Sequence, residues 1–130
     1  MALDYPNDLK YTDSHEYIKL EGDTATIGIS AYAIEQLGDI VFVELPEVNT
    51  EIVQGDPMGT VESVKAVEEL YAPVSGTVVE KNTEIIDDPE AIMPDPYGEG
   101  WFIKVKVRNP SELENALTAA EYSALVSGDE

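Results

Sequence analysis

The chain has 130 residues, 43% hydrophobic and 26% charged, which fits one folded domain spanning 1–130 with a substantial core rather than a disordered segment. Seven basic residues against 27 acidic ones leave a net charge of −20, so phosphate backbones and anionic membranes repel the chain, and neither is an expected partner. The absence of cysteine excludes disulfides, thiolate nucleophiles and Cys-ligated metals, and no apolar run approaches the roughly 20 residues that span a bilayer.

The N-terminal residues have neither a basic-then-apolar pattern nor an Arg-rich amphipathic one, so no signal or transit peptide is expected. Residues 17–21 and 24–29 alternate in polarity around Gly22-Asp23, which predicts a β-hairpin. Ser30 then caps a short helix over 31–37, with Ala33, Ile34 and Leu37 on one face and Gly38 ending it. Residues 40–45 form an apolar run that predicts a buried strand stopped by Pro46. Two further strands, 58–62 and 67–71, meet at a hairpin tip around 63–66, and Gly55 and Gly76 mark turns at their far ends. Another strand follows over 77–81.

Residues 82–100, with Pro89, Pro94 and Pro96, predict an irregular surface segment. The chain resumes as a strand over 101–108, with Ile103, Val105 and Val107 on one face and Lys104, Lys106 and Arg108 on the other. Asn109-Pro110-Ser111-Glu112 and Thr118-Ala-Ala-Glu121 both carry helix-start chemistry, so the C-terminal helical segment, about 110–126, is expected as two short helices. Many short strands and a helical tail make the fold class mainly β.

Catalytic constellations are missing: there is one histidine, His15, and no nucleophile elbow, phosphate loop or zinc-protease motif. His15 and Glu16 are adjacent, and strand neighbours point to opposite faces, so they do not converge on one substrate atom. Asp87, Asp88, Glu90 and Asp95 lack the alternating ligands and the glycine of a calcium loop and read as solvated acids. Lys65 is set apart by its place. It stands between apolar Val64 and Ala66 at a turn where polar residues or glycine are the rule. A lysine at such a tip is open to a modifying enzyme, and a group attached there is free to swing.

The segment Val61-Glu-Ser-Val-Lys-Ala66, followed by Tyr71-Ala-Pro-Val-Ser-Gly76, resembles the lipoyl attachment region of glycine cleavage H-proteins. Tyr11-Thr-Asp-Ser-His-Glu-Tyr17, Ala25-Thr-Ile-Gly-Ile29, Leu37-Gly-Asp-Ile-Val-Phe-Val-Glu-Leu-Pro46 and Asp95-Pro-Tyr-Gly-Glu-Gly-Trp101 are similar to the family's other blocks, in the family's order. The likeness runs from about residue 9 to 126. It implies a barrel-sandwich hybrid of the lipoyl and biotinyl type, with lipoic acid amide-linked to Lys65, and a carrier rather than an enzyme. Its partners would be a pyridoxal-phosphate glycine decarboxylase, a tetrahydrofolate-dependent aminomethyltransferase and a flavin dihydrolipoyl dehydrogenase, besides the lipoylating enzymes. The first would load glycine's aminomethyl group, the second would unload it, and the third would reoxidise the dithiol.

By the same resemblance, Glu62 and Gly76 match positions tied to recognition by lipoylating enzymes, and Ser14, Glu16, Ile29 and Glu69 fall where a cleft for the loaded arm is expected. The chain departs from the family at Tyr17, usually tryptophan, and at Gln36, often histidine. The alternatives are a lipoyl domain of a 2-oxoacid dehydrogenase, which carries Asp where Val64 stands, and an unmodified interaction module of the same fold. A biotinyl carrier would flank its lysine with methionines. The expected location is the bacterial cytoplasm, with a mature organellar protein as the alternative.

Overall fold

The computed structural model describes Pro6 and residues 8–92, 94–95 and 97–127; the readings made above of residues 1–5, Met93 and Pro96 lie outside the described residues. The elements in order are β1 (Lys10–Tyr11), β2 (Glu16–Glu21), β3 (Thr24–Ile29), α1 (Ala31–Leu37), β4 (Ile40–Glu44), β5 (Glu51–Ile52), β6 (Pro57–Ser63), β7 (Val67–Tyr71) and β8 (Gly76–Lys81). After them come α2 (Thr83–Asp87), a 3₁₀ helix (Pro89–Ile92), β9 (Ile103–Val107), a second 3₁₀ helix (Pro110–Asn115) and α3 (Ala119–Ser127). The strands form two antiparallel sheets, one ordered β1-β2-β3-β9-β8-β5 and the other β4-β6-β7.

Local chemistry explains the first half. Glu21 pairs with Thr24 across Gly22, whose φ of +66° supplies the left-handed turn that closes the β2–β3 hairpin. The Ser30 Oγ accepts from the Ala33 N–H at 3.2 Å and so starts α1, while Gly38 ends it with a bond from its N–H to the Ile34 carbonyl at 2.9 Å. β6 and β7 pair from Pro57↔Tyr71 to Glu62↔Val67 and make the expected second hairpin.

Three expectations need correcting. β4 is not a buried strand: Ile40 and Val43 face the core, but a bulge between Ile40 and Phe42 turns Val41 and Phe42 outward on an edge strand. Gly76 is not in a turn but opens β8, where a Cβ would run into the Lys106 carbonyl oxygen and lie 2.7 Å from Val105 Cγ1. Residues 82–100 are not merely irregular. Asn82 caps α2 through the Glu84 N–H and donates its amide to the Glu99 and Trp101 carbonyls, both at 2.8 Å, while Ile85 and Ile92 sink fully into the core.

The main core draws on the inner faces of both sheets: Ile18, Ile27, Val78, Ile103 and Val105 from the larger, Val43, Val61 and Leu70 from the smaller. A second cluster, built on Tyr11, Tyr17 and Tyr122, seats the C-terminal helix. The expected capping box of that helix is present: Glu121 N–H donates to Thr118 Oγ1 at 3.2 Å, and Thr118 N–H to Glu121 Oε1 at 2.9 Å. Asn109 also caps as expected, but Glu112 does not turn back to it. Its carboxylate instead accepts from the Ser75 N–H and hydroxyl at 2.7 and 2.8 Å, tying the helical segment to the entry of β8.

Candidate functional site

The β6–β7 tip is pinned by one side chain. The Ser63 hydroxyl accepts from the N–H groups of Lys65 and Ala66 at 3.3 and 3.1 Å and donates to the Ala66 carbonyl at 3.2 Å. The Val64 N–H donates to the Asp39 carbonyl at 3.0 Å, which anchors the tip to the chain between α1 and β4. Lys65 is therefore exposed on a fixed backbone, not on a loose loop. Gly38 borders it, with the lysine Cε 3.8 Å from where a Cβ would stand. Ion pairs among the described residues engage Lys81, Lys104 and Arg108 with Glu47, Glu80 and Glu51; Lys65 takes part in none.

Beside this hairpin lies a groove of about 360 Å³ between β7 and α1, within the range of sites that take a small organic group. Ser14, Ile29 and Glu69 line it, together with His15, Tyr32 and Glu68. Glu16 does not. It borders an adjacent recess of about 280 Å³ that shares Ser14, and the residue is 1% exposed. One oxygen accepts from the hydroxyls of Thr12 and Ser14 at 2.7 and 2.5 Å, the other from the Tyr71 N–H at 3.2 Å. Burial pushes this carboxyl above its ordinary value, although the hydrogen bonds favour the charged form. Glu16 thus stitches the start of β2 to the end of β7.

The walls of the groove are held by tyrosines. Tyr17 lies across the bare face of Gly28, its cross-strand partner, and packs against Tyr97 at 5.1 Å between ring centres. Burial, with Tyr97 and Asp95 nearby, keeps the Tyr17 phenol protonated well above its usual range. The Tyr97 hydroxyl accepts from the Ala31 N–H at 2.9 Å and so fixes the first turn of α1. His15, with a φ of +76°, sets its Nδ1 2.7 Å from the Tyr122 hydroxyl, which lies 2.7 Å from Ser30 Oγ. His15 and Glu68 are groove residues that the sequence reading missed. No local signal points to His15, because its partner Tyr122 is 107 residues away.

Glu62 sits half-buried on β6, paired with Phe42 on one side and Val67 on the other. Gly76 lies in the other sheet, where close contact with β9 alone requires glycine.

Two small antiparallel sheets, one of them raising an exposed lysine at a hairpin tip beside a groove, define a barrel-sandwich hybrid of the lipoyl type. The family model described as glycine cleavage H-protein matches residues 9–129. The chain is 62% identical to a glycine cleavage system H protein of Cyanothece sp., covering 98% of this chain and 99% of the relative. Its counterpart in Acaryochloris marina is 59% identical, over 98% of this chain and 100% of the relative. A solved glycine cleavage system H protein from Mycobacterium marinum superposes with a TM-score of 0.88 at 43% identity, covering 95% of this chain and 99% of that one. The chain belongs to the glycine cleavage H-protein family.

Proposed function

We propose that this chain, as a single carrier domain, is the lipoyl-bearing shuttle of a glycine cleavage system, a non-catalytic component with lipoic acid amide-linked to Lys65. The observation that carries the reading is the tip itself: a lysine exposed and unpaired, on a backbone fixed through Ser63 and Asp39. The residues fit the group, since an exposed amine offers the attachment point and a groove of suitable size lies beside it. When bound, lipoate supplies the pair of redox sulfurs that this cysteine-free chain lacks.

The chain's own residues then hold and shelter the cargo. Ser14 and Ile29 wall the groove, and Glu69 and Glu68 bring carboxylates to it, which favour a cationic aminomethyl group more strongly as water leaves. Glu16 supports that wall through the strand entry it fixes. Glu62 and Gly76 serve recognition by the lipoylating enzymes, Glu62 on the tip hairpin itself and Gly76 through the close β8–β9 contact it permits.

The chain carries the aminomethyl group of glycine from the pyridoxal-phosphate decarboxylase to the tetrahydrofolate-dependent aminomethyltransferase. Dihydrolipoyl dehydrogenase returns it to the oxidised state. Among the described residues no helix is long and apolar enough to cross a membrane, and we place the cycle in the cytoplasm.

The test is reconstitution with the three partner enzymes. Lys65→Arg keeps the tip's backbone contacts, so it should fold as the wild type does and support no glycine cleavage. Activity retained by that variant would overturn the proposal.

A further inference from the structure

An apolar patch adjoins Lys65 in a chain that is otherwise strongly acidic, with Asp39 held beside the tip through its carbonyl. Val64 beside it is 69% exposed, and Val67, across the tip, is 64% exposed. Phe42, at 51%, joins them through the sheet: Phe42 pairs with Glu62 and Glu62 with Val67, so the three side chains stand in a row on one face. Val41, pushed out by the bulge next to Phe42, extends the patch at 50% exposed. Glu62 is the one acid within the row. Edge strands are usually guarded by charge, and here the bulge does that work while the side chains stay apolar.

We propose that Phe42, Val64 and Val67 form an apolar collar on which the acyl-transferring enzyme that modifies Lys65 seats itself, with a basic group of that enzyme against Glu62. The proposal rests on the reading of Lys65 as the lipoylated residue and adds to it the surface that is read. Any enzyme that brings an activated acyl carbon to the lysine Nζ must cover the tip, so the surface around Nζ is necessarily its contact. Charge alone would serve poorly there, because 27 acids give much of the molecular surface the same electrostatic face.

The collar also has a chemical consequence. A lysine attacks an acyl carbon only as the neutral amine: the N–C bond forms as the bond from that carbon to its activating group breaks, and the amine's proton passes to a base or to solvent. Closing an apolar surface around Nζ strips its water and favours the neutral form. Docking therefore prepares the nucleophile.

The experiment uses the full unmodified chain, an ATP-dependent lipoate ligase, ATP and free lipoate, with uptake followed by intact mass. The variant is Phe42→Thr, Val64→Thr, Val67→Thr; threonine keeps strand preference and near-equal volume at the two valines, and circular dichroism checks the fold. Loss of three apolar contacts should lower kcat/KM about tenfold or more, and the acid limb of the kcat pH profile, which reports the docked complex, should move to higher pH. A control with Val79→Thr and Leu125→Thr, exposed on β8 and α3, should match the wild type. Modification of the triple variant with unchanged kcat/KM and pH profile overturns the collar while leaving Lys65 as the carrier residue. A wild-type chain that takes up no lipoyl group at Lys65 overturns the carrier reading, and the collar with it.

Discussion

Glu16 offers the sharpest physical test of the fold around the groove. Its carboxylate is buried, yet it accepts bonds from Thr12, Ser14 and Tyr71, and among the described residues no cation is paired with it. In the unfolded chain it titrates near 4.5; in the fold, burial outweighs the hydrogen bonds and raises it. Between those two values the native state binds more protons than the unfolded one, so its contribution to stability falls as pH rises. That contribution is fully present below 4.5 and is lost once pH passes the raised native value.

Glu16→Gln removes the titration but not the geometry. The amide oxygen can take the Tyr71 N–H, and the Thr12 and Ser14 hydroxyls can turn to accept from the amide nitrogen. The variant should therefore gain on the wild type as pH rises through this window, by about 1.4 kcal/mol for each unit of separation. Glu16→Ala differs: it also removes the titration but leaves the Tyr71 N–H without that acceptor, so it should lie about 1–3 kcal/mol below Glu16→Gln at every pH. Urea unfolding from pH 4 to 7.5 reads both. Glu35→Gln, exposed on α1, controls for the loss of one negative charge. A Glu16→Gln stability difference that is flat with pH, or that falls as pH rises, would refute the reasoning.

Gly76→Ala should destabilise by about 1–3 kcal/mol, because its methyl meets the Lys106 carbonyl and the β8–β9 pairing must shift; an unchanged urea midpoint would exclude this packing role. Moving the lysine by one place, in Val64→Lys with Lys65→Val or Lys65→Ala with Ala66→Lys, turns the amine to another side of a pinned tip. Both folded variants should be lipoylated poorly, since misplacement by a few ångströms forfeits most of the positional advantage. Modification of either at the wild-type rate would mean that the enzyme reads local sequence rather than the tip's geometry.

Hairpins and caps were legible in the sequence because their causes are local. Gly22, Ser30, Gly38 and the Thr118–Glu121 box each act within a few residues of the structure they make. Lys65 was legible for the same reason, as a lysine between two short strands. What the sequence concealed depends on pairing at a distance. β4 reads as buried because its run is apolar, but its edge position and bulge expose Val41 and Phe42. Residues 82–100 read as irregular because of their prolines, while Ile85 and Ile92 are drawn under by a core built elsewhere. The groove joins residues of β7, α1 and the β2 entry, and neither Glu16's turn towards Tyr71 nor His15's link to Tyr122 leaves a mark on neighbouring positions. The same holds for Glu112, whose spacing fits a cap but whose carboxylate is taken by Ser75.

The central claim is that one lysine, fixed at the β6–β7 tip, carries the working group. Peptide mapping of the protein purified from its native host tests it most directly. The account predicts a single lipoyl amide, on Lys65, with Lys10, Lys19, Lys81, Lys104 and Lys106 unmodified. A lipoyl group found on any of those five, or a Lys65 that is never modified in cells cleaving glycine, would contradict it.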